Sequence, residues 1–235
     1  MYEITDKSSA DTRRAYDTDE GVEHYSWDGL FKREEPVFSL IPENSKLLDI
    51  GCGAGRTTRY FHAQGHDVIG IDYAPNMIEK AKAIAPQIDY RVGDVMNLEF
   101  DDHSFEVVVF SFNGLDMLHP YENRLYALRE IRRVVKPEGL FIFSSLNKFL
   151  PKGLNQIIRY LQVISKRREN AYMECNYPWG TITRFQTFPP GQVRELRQVG
   201  FEVIRVMPHP RHKWVKWPWL IGLLDDWTHY VCKIQ

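Results

Sequence analysis

The 235-residue chain has only three cysteines, Cys52, Cys175 and Cys232, and none stands in a C-x-x-C pair. No disulfide framework is encoded, and a reducing, cytoplasmic setting is expected. Neither sign of charge dominates: 30 lysines and arginines face 31 acids, for a net charge of −1. That balance requires no basic surface for nucleic acid as a whole, and no such partner is expected. No apolar run is long enough to cross a bilayer, and the first residues are polar and acidic, unlike a secretory leader. Internal repeats and low-complexity tracts are absent. So is the dinucleotide fingerprint G-x-G-x-x-G, because Arg56 occupies the place of its last glycine. No tyrosine has a lysine four residues on, the pair a short-chain nicotinamide oxidoreductase would use. That enzyme class is the competing reading of the chain.

What is present is concentrated in Leu47-Leu48-Asp49-Ile50-Gly51-Cys52-Gly53-Ala54-Gly55. An apolar strand runs into glycines at every second position, and a helix-compatible stretch, Arg56 to Phe61, follows at once. Such glycines permit positive φ and let a ligand approach the backbone. This is the form of a nucleotide-like site at the carboxyl edge of a parallel sheet. Two acids strengthen it. Asp72 closes the apolar run Val68-Ile69-Gly70-Ile71 about twenty residues beyond the glycine turn, where an acid can accept from both ribose hydroxyls. Asp94 follows Tyr90-Arg91-Val92-Gly93, placed to accept from an exocyclic amine, with the Val95 amide beside it. A single strand-end Asp is most simply a helix cap. Three sites at the ends of three successive strands are not.

At these residues the chain resembles the class I S-adenosylmethionine-dependent methyltransferases. The resemblance continues through Asn76-Met77-Ile78, Phe105 to Phe110, and Leu128 to Leu140, covering roughly residues 45–145. It implies S-adenosylmethionine as cofactor and S-adenosylhomocysteine as product. Asp49 would help hold the methionine amine; Gly51, Cys52, Gly53 and Gly55 would pass the methionine and ribose. Asp72 would bind ribose, with Tyr73 and Met77 nearby, and Asp94 and Val95 would border adenine. Phe110, Ser111 and Asn113 would line the pocket. The resemblance further implies that Tyr25 closes over the methionine end as a lid; Arg33 is placed to meet its carboxylate as a bidentate pair.

The implied fold is α/β: a doubly wound, Rossmann-like sheet of seven strands, the last antiparallel, with helices on both faces. Strands read 46–50, 67–71, 88–92, 105–110, 139–146, 201–207 and 227–233. Helices read 22–40, 55–64, 75–85, 121–135 and 190–199, with Leu125, Leu128, Ile131 and Val135 forming one apolar stripe. Residues 1–20 are polar and expected to order with ligand. Within one structural domain, 1–44 form an N-terminal lid, 45–146 the cofactor core, 147–188 a substrate or lid insertion, and 189–235 the C-terminal part of the sheet. The insertion opens with an amphipathic helix marked by Ile157, Ile158, Leu161 and Ile164, then an aromatic, turn-rich stretch from Tyr172 to Gly180.

Acceptor choice is expected in these additions. In 208–226, Trp214, Trp217 and Trp219 mix with Lys213 and Lys216. That cluster suits an apolar or aromatic pocket, a sugar, weak contact with a membrane interface, or packing under the last strand. A small-molecule acceptor is expected, of the sugar, lipid-linked or aromatic kind, methylated at a hydroxyl oxygen, with a small amine as the alternative. Candidate catalytic groups are Asp116 and His119, after the fourth strand; relatives often carry histidine at the place of Asp116. His209 and His212 are further candidates as base or substrate contacts, but lack a third ligand, so no metal is expected. No (D/N/S)-P-P-(Y/F) follows that strand and no Pro-Cys occurs, which opposes methylation of nucleic-acid bases or of glutamine amides.

Overall fold

The computed structural model describes residues 7–146, 172–217, 220–221, 225 and 227–234. Seven strands form one sheet: β1 (Lys46–Ile50), β2 (Asp67–Asp72), β3 (Asp89–Val92), β4 (Phe105–Phe110), β5 (Val135–Leu146), β8 (Phe201–Met207) and β9 (Trp227–Ile234). Their spatial order is β3-β2-β1-β4-β5-β9-β8, and β6 (Tyr172–Tyr177) pairs with β7 (Gly180–Phe185) as a separate hairpin. The first five strands are mutually parallel, while β9 runs antiparallel to both β5 and β8. Strand order reverses between β1 and β4, so a crevice opens at their carboxyl ends.

The sheet is buried on both faces, which is why β1 and β4 read as unbroken apolar runs. Leu48, Val108, Phe141 and Phe143 point to one side, against α6 (Tyr121–Val134) and α7 (Pro189–Gln198). Leu47, Val107, Val109 and Ile142 point to the other, against α3 (Glu35–Phe38), α4 (Arg56–Ala63) and α5 (Pro75–Ile84). Each of these eight is fully enclosed, and each such side chain contributes about 1.5–3 kcal/mol by leaving water. Leu128 and Ile131 bury the expected stripe of α6. Leu125 packs instead with Tyr121 and Phe185, whereas Val135 joins Leu128 and Ile131 in the same core cluster although it opens β5. That strand starts four residues earlier than its apolar run, since Val135 pairs with Phe105 before an irregularity in register.

The amino-terminal segment corrects the expectation of one helix over 22–40. The chain forms α1 (Lys7–Tyr16), α2 (Asp19–His24) and α3, with non-helical backbone between the last two. Tyr25 caps α2, Gly29 has φ +93°, and Pro36 sits in the first turn of α3; a continuous helix tolerates neither of the last two. α1 packs on the hairpin, where Thr183 donates its N–H to Thr12 at 3.1 Å and Gly180 abuts Ala15. The stretch read as turn-rich is therefore a hairpin with Pro178 and Trp179 at its turn. The amphipathic helix expected around Ile157 to Ile164 lies outside the described residues, as does Trp219.

Candidate functional site

At the end of β1 the backbone turns through Gly51, Gly53 and Gly55, with φ of +62°, +55° and +83°. Side chains are excluded there for reasons of space as well as conformation. A Cβ on Gly51 would stand 2.8 Å from the Phe110 ring, and one on Gly55 would stand 2.4 Å from the Tyr90 hydroxyl. The loop is tied to the next strand: Cys52 donates to the Ile71 carbonyl at 3.0 Å, and Gly53 donates to Asp72 Oδ2 at 2.9 Å. Asp72 Oδ1 accepts from the Ala74 amide at 2.9 Å. Only 7% of the residue is exposed, and burial pushes its carboxyl up to about 6 against those hydrogen bonds. Beside it, Asp94 Oδ1 accepts from the Met96 amide at 2.9 Å.

Gly51, Cys52, Gly53, Asp72 and Asp94 line one cleft enclosing about 1230 Å³, the part open to solvent included. Of the expected residues, Tyr25, Gly51, Cys52, Gly53, Asp72, Tyr73, Met77, Asp94, Val95, Phe110, Ser111 and His119 stand in its wall. Aromatic rings close the rim: Tyr25 lies 5.2 Å from Tyr16, 5.9 Å from Phe112 and 6.2 Å from Trp179. His119 holds its ring edge-on to Tyr172 at 4.3 Å.

Asp49, Gly55 and Asn113 support the wall without forming it. Asp49 is fully buried under the loop, and its Oδ2 accepts from the hydroxyls of Thr57 and Thr58, both at 2.7 Å. Its Oδ1 has no hydrogen-bond partner among the described residues, and burial pushes the carboxyl up to about 6. The Asn113 amide donates to Ser144 Oγ at 2.9 Å, while its buried Oδ1 also lacks a partner among the described residues.

Two expectations are corrected. Arg33 does not reach the cleft: it donates to the Trp227 carbonyl at 2.9 Å, approaches Asp225 at 3.5 Å and lies over the Trp227 ring. Asp116 is fully enclosed and faces away from the cleft. It accepts from Arg124 at 3.1 Å, from Ser145 Oγ at 2.9 Å and from the Leu146 amide at 2.7 Å. Arg124 in turn holds Glu195 and Gln192 on α7. Asp116 thus joins the end of β5 to two helices, and burial pushes it up to about 6 despite the guanidinium. The backbone causes this: Phe112 and Asn113 both have positive φ, which turns the following 3₁₀ segment inward. His209 and His212 sit by Asp225, outside the cleft.

Arg56 is a charged wall residue that sequence reading missed. Its guanidinium makes a two-point pair with Glu34 at 2.6 and 2.8 Å and donates to the Gly29 carbonyl at 3.1 Å. It also stands 4.7 Å from the Trp27 ring. The available signal was its place in the first turn of α4, directly after the last glycine of the loop.

The residues present fit an adenosyl sulfonium. Acids stand at the tips of adjacent strands, the loop lacks a diphosphate cradle, and Asp49 keeps one buried oxygen for an outside donor. A family model described as a methyltransferase domain matches residues 48–143. A demethylmenaquinone methyltransferase from Bacillus cytotoxicus is 31% identical over 208 residues, covering 82% of this chain and 85% of that protein. One from Paenarthrobacter aurescens is 32% identical over 122 residues, covering 52% of this chain. The match spans about half of that relative's length, 47%. Among solved structures, an S-adenosylmethionine-dependent methyltransferase from Methanosarcina mazei shares the fold, with a TM-score of 0.69 at 19% identity over 88% of this chain and 99% of that one. The chain therefore belongs to the class I S-adenosylmethionine-dependent methyltransferases, with S-adenosylmethionine as its cofactor.

Proposed function

We propose that the enzyme methylates a hydroxyl oxygen on a small, flat, apolar acceptor of the phenol or quinol class, with His119 taking the proton. The carrying observation is the rim of the cleft, where Tyr25, Trp27 and Phe112 surround space that has His119 in its wall. Aromatic walls suit a planar ring, and a nearby imidazole suits a hydroxyl acceptor, which must lose a proton as the new bond forms. A cationic amine acceptor would instead need a carboxylate facing that space, and Asp116 is committed to Arg124. The quinone in the names of the two relatives agrees with a flat ring as acceptor.

In this reading Asp72 accepts from the ribose hydroxyls, Asp94 and Val95 border adenine, and Asp49, buried beneath the glycine loop, helps hold the methionine amine. Arg56 takes the role first given to Arg33 and faces the methionine carboxylate, its charge balanced by Glu34. When bound, the cofactor supplies an activated methyl on sulfur; the protein aligns the acceptor oxygen behind it and keeps water out. Residues 1–44 serve as lid and 147–188 as acceptor-side insertion. All three cysteines are free thiols, which fits a cytoplasmic setting.

An acceptor screen with labelled methyl donor tests the proposal, using phenols, hydroquinones, sugars and primary amines. Label on a phenolic oxygen is expected, and His119→Asn should lower kcat by roughly 10²-fold or more. Label only on amines, or full activity in His119→Asn, would overturn the assignment.

A further inference from the structure

The connection between β8 and β9 combines a buried underside with an exposed face of indoles and cations. β8 ends at Met207, opposite His229, and β9 begins at Trp227, opposite Leu146 at the end of β5. The connection therefore leaves the sheet at its carboxyl edge, where the cofactor cleft opens. It is anchored from beneath. The His209 amide donates to Asp225, which is fully buried and also meets Arg33. Val215 and Ile221 turn inward, 4% and 1% exposed.

The outward side has a different composition. Arg211, Lys213, Trp214, Lys216 and Trp217 are all exposed. Trp214 and Trp217, at 65% and 62%, are more exposed than any other large apolar side chain among the described residues. No acid occurs between Glu202 and Asp225, and no charge of either sign occurs between Trp217 and Asp225. With a net charge of −1 for the whole chain, this cationic character is local.

We infer that this segment docks the enzyme on the surface of an anionic lipid bilayer. Indoles are stable at the boundary between headgroups and acyl chains, where the ring leaves water and its N–H stays wet. Lysine and arginine beside them meet headgroup phosphates through long, adaptable stems. An RNA strand is less well served, because so few cations give no continuous track for a phosphate backbone and the sequence that follows is wholly uncharged. The surface is joined to the cleft through Trp227. Its ring lies under Arg33 at 4.7 Å and edge-on to Phe112, a wall residue, at 5.4 Å. Docking would thus bring the cleft's edge of the sheet to the membrane. This inference does not rest on the acceptor proposed above.

Flotation of the full chain with vesicles tests it. Pure phosphatidylcholine is compared with phosphatidylcholine carrying phosphatidylglycerol, at low and high salt. Retention on the anionic vesicles is expected, weakening with salt. The Trp214→Ser/Trp217→Ser double variant should bind about tenfold more weakly or worse, and Lys213→Gln/Lys216→Gln should lose about fivefold per cation. Melting temperature and cofactor affinity should stay level in both variants, since none of the four residues lines the cleft. No retention of the natural chain on anionic vesicles would overturn the inference, as would retention unaffected by either double variant. Tryptophan-dependent dimerisation without vesicle binding would reassign the face to a second copy of the chain. Retention of single-stranded RNA in place of vesicles would reassign it to nucleic acid.

Discussion

Replacing Asp72 by asparagine removes one negative charge at the point where β2 meets the glycine loop. Its carboxylate already accepts from the Gly53 and Ala74 amides, each at 2.9 Å, and stands in the cleft wall. Hydrogen bonds from ribose hydroxyls to an ionised acceptor are worth about 1.5–3 kcal/mol, so the variant should bind S-adenosylhomocysteine roughly 10- to 150-fold more weakly. The charge also sets a pH dependence. Burial holds the free protein's carboxyl near about 6, above the ordinary carboxylate range, and the ribose hydroxyls favour its ionised form. Above that value Asp72 is already ionised and affinity is level. Below it a proton must leave before the ligand binds, and affinity falls about tenfold between about pH 7.5 and about pH 5. The natural chain should show this slope and Asp72→Asn should show less of it, the remainder belonging to Asp49, also pushed up to about 6. Calorimetric titration across that range is the assay, with melting of the unliganded variant as a control for a disturbed loop. Equal affinity in both proteins, or a level profile in the natural chain, would refute the reasoning.

Asp116→Asn should act on stability rather than chemistry. It breaks a fully enclosed pair with Arg124, a loss of about 3 kcal/mol, and folded protein should keep its kcat; a lowered kcat at an unchanged melting temperature would contradict this. Arg56→Met leaves Glu34 buried without its cation and should cost about 3–5 kcal/mol. Adding Glu34→Gln should recover most of the stability but not the cofactor affinity, as read by melting and titration. Recovery of both would make Arg56 a structural residue alone.

The parts of the site legible in sequence were those fixed by local backbone. Gly51, Gly53 and Gly55 need positive φ or close approach, and Asp72 and Asp94 end short apolar strands, so a few neighbouring residues determine each. Val107, Val108 and Val109 announced a strand buried on both faces in the same way. Long-range pairings were hidden. Nothing near Arg33 indicates that its partner is Asp225, and nothing near Asp116 points to Arg124 closing on Glu195 from α7. The 22–40 region carries apolar residues at helical spacing, yet Gly29 and Pro36 divide it, and that local signal was readable. The hairpin from Tyr172 to Phe185 was obscured because Pro178 and Gly180 suggest turns, whereas its strands are settled by packing on Thr12 and Ala15 of α1.

The most direct measurement is a calorimetric titration of the unliganded chain with S-adenosylmethionine and, separately, with NADH. One molecule of S-adenosylmethionine bound per chain, with affinity weakened by Asp72→Asn, and no binding of NADH, is the predicted result. Tight binding of NADH with none of S-adenosylmethionine would contradict the account of the cleft.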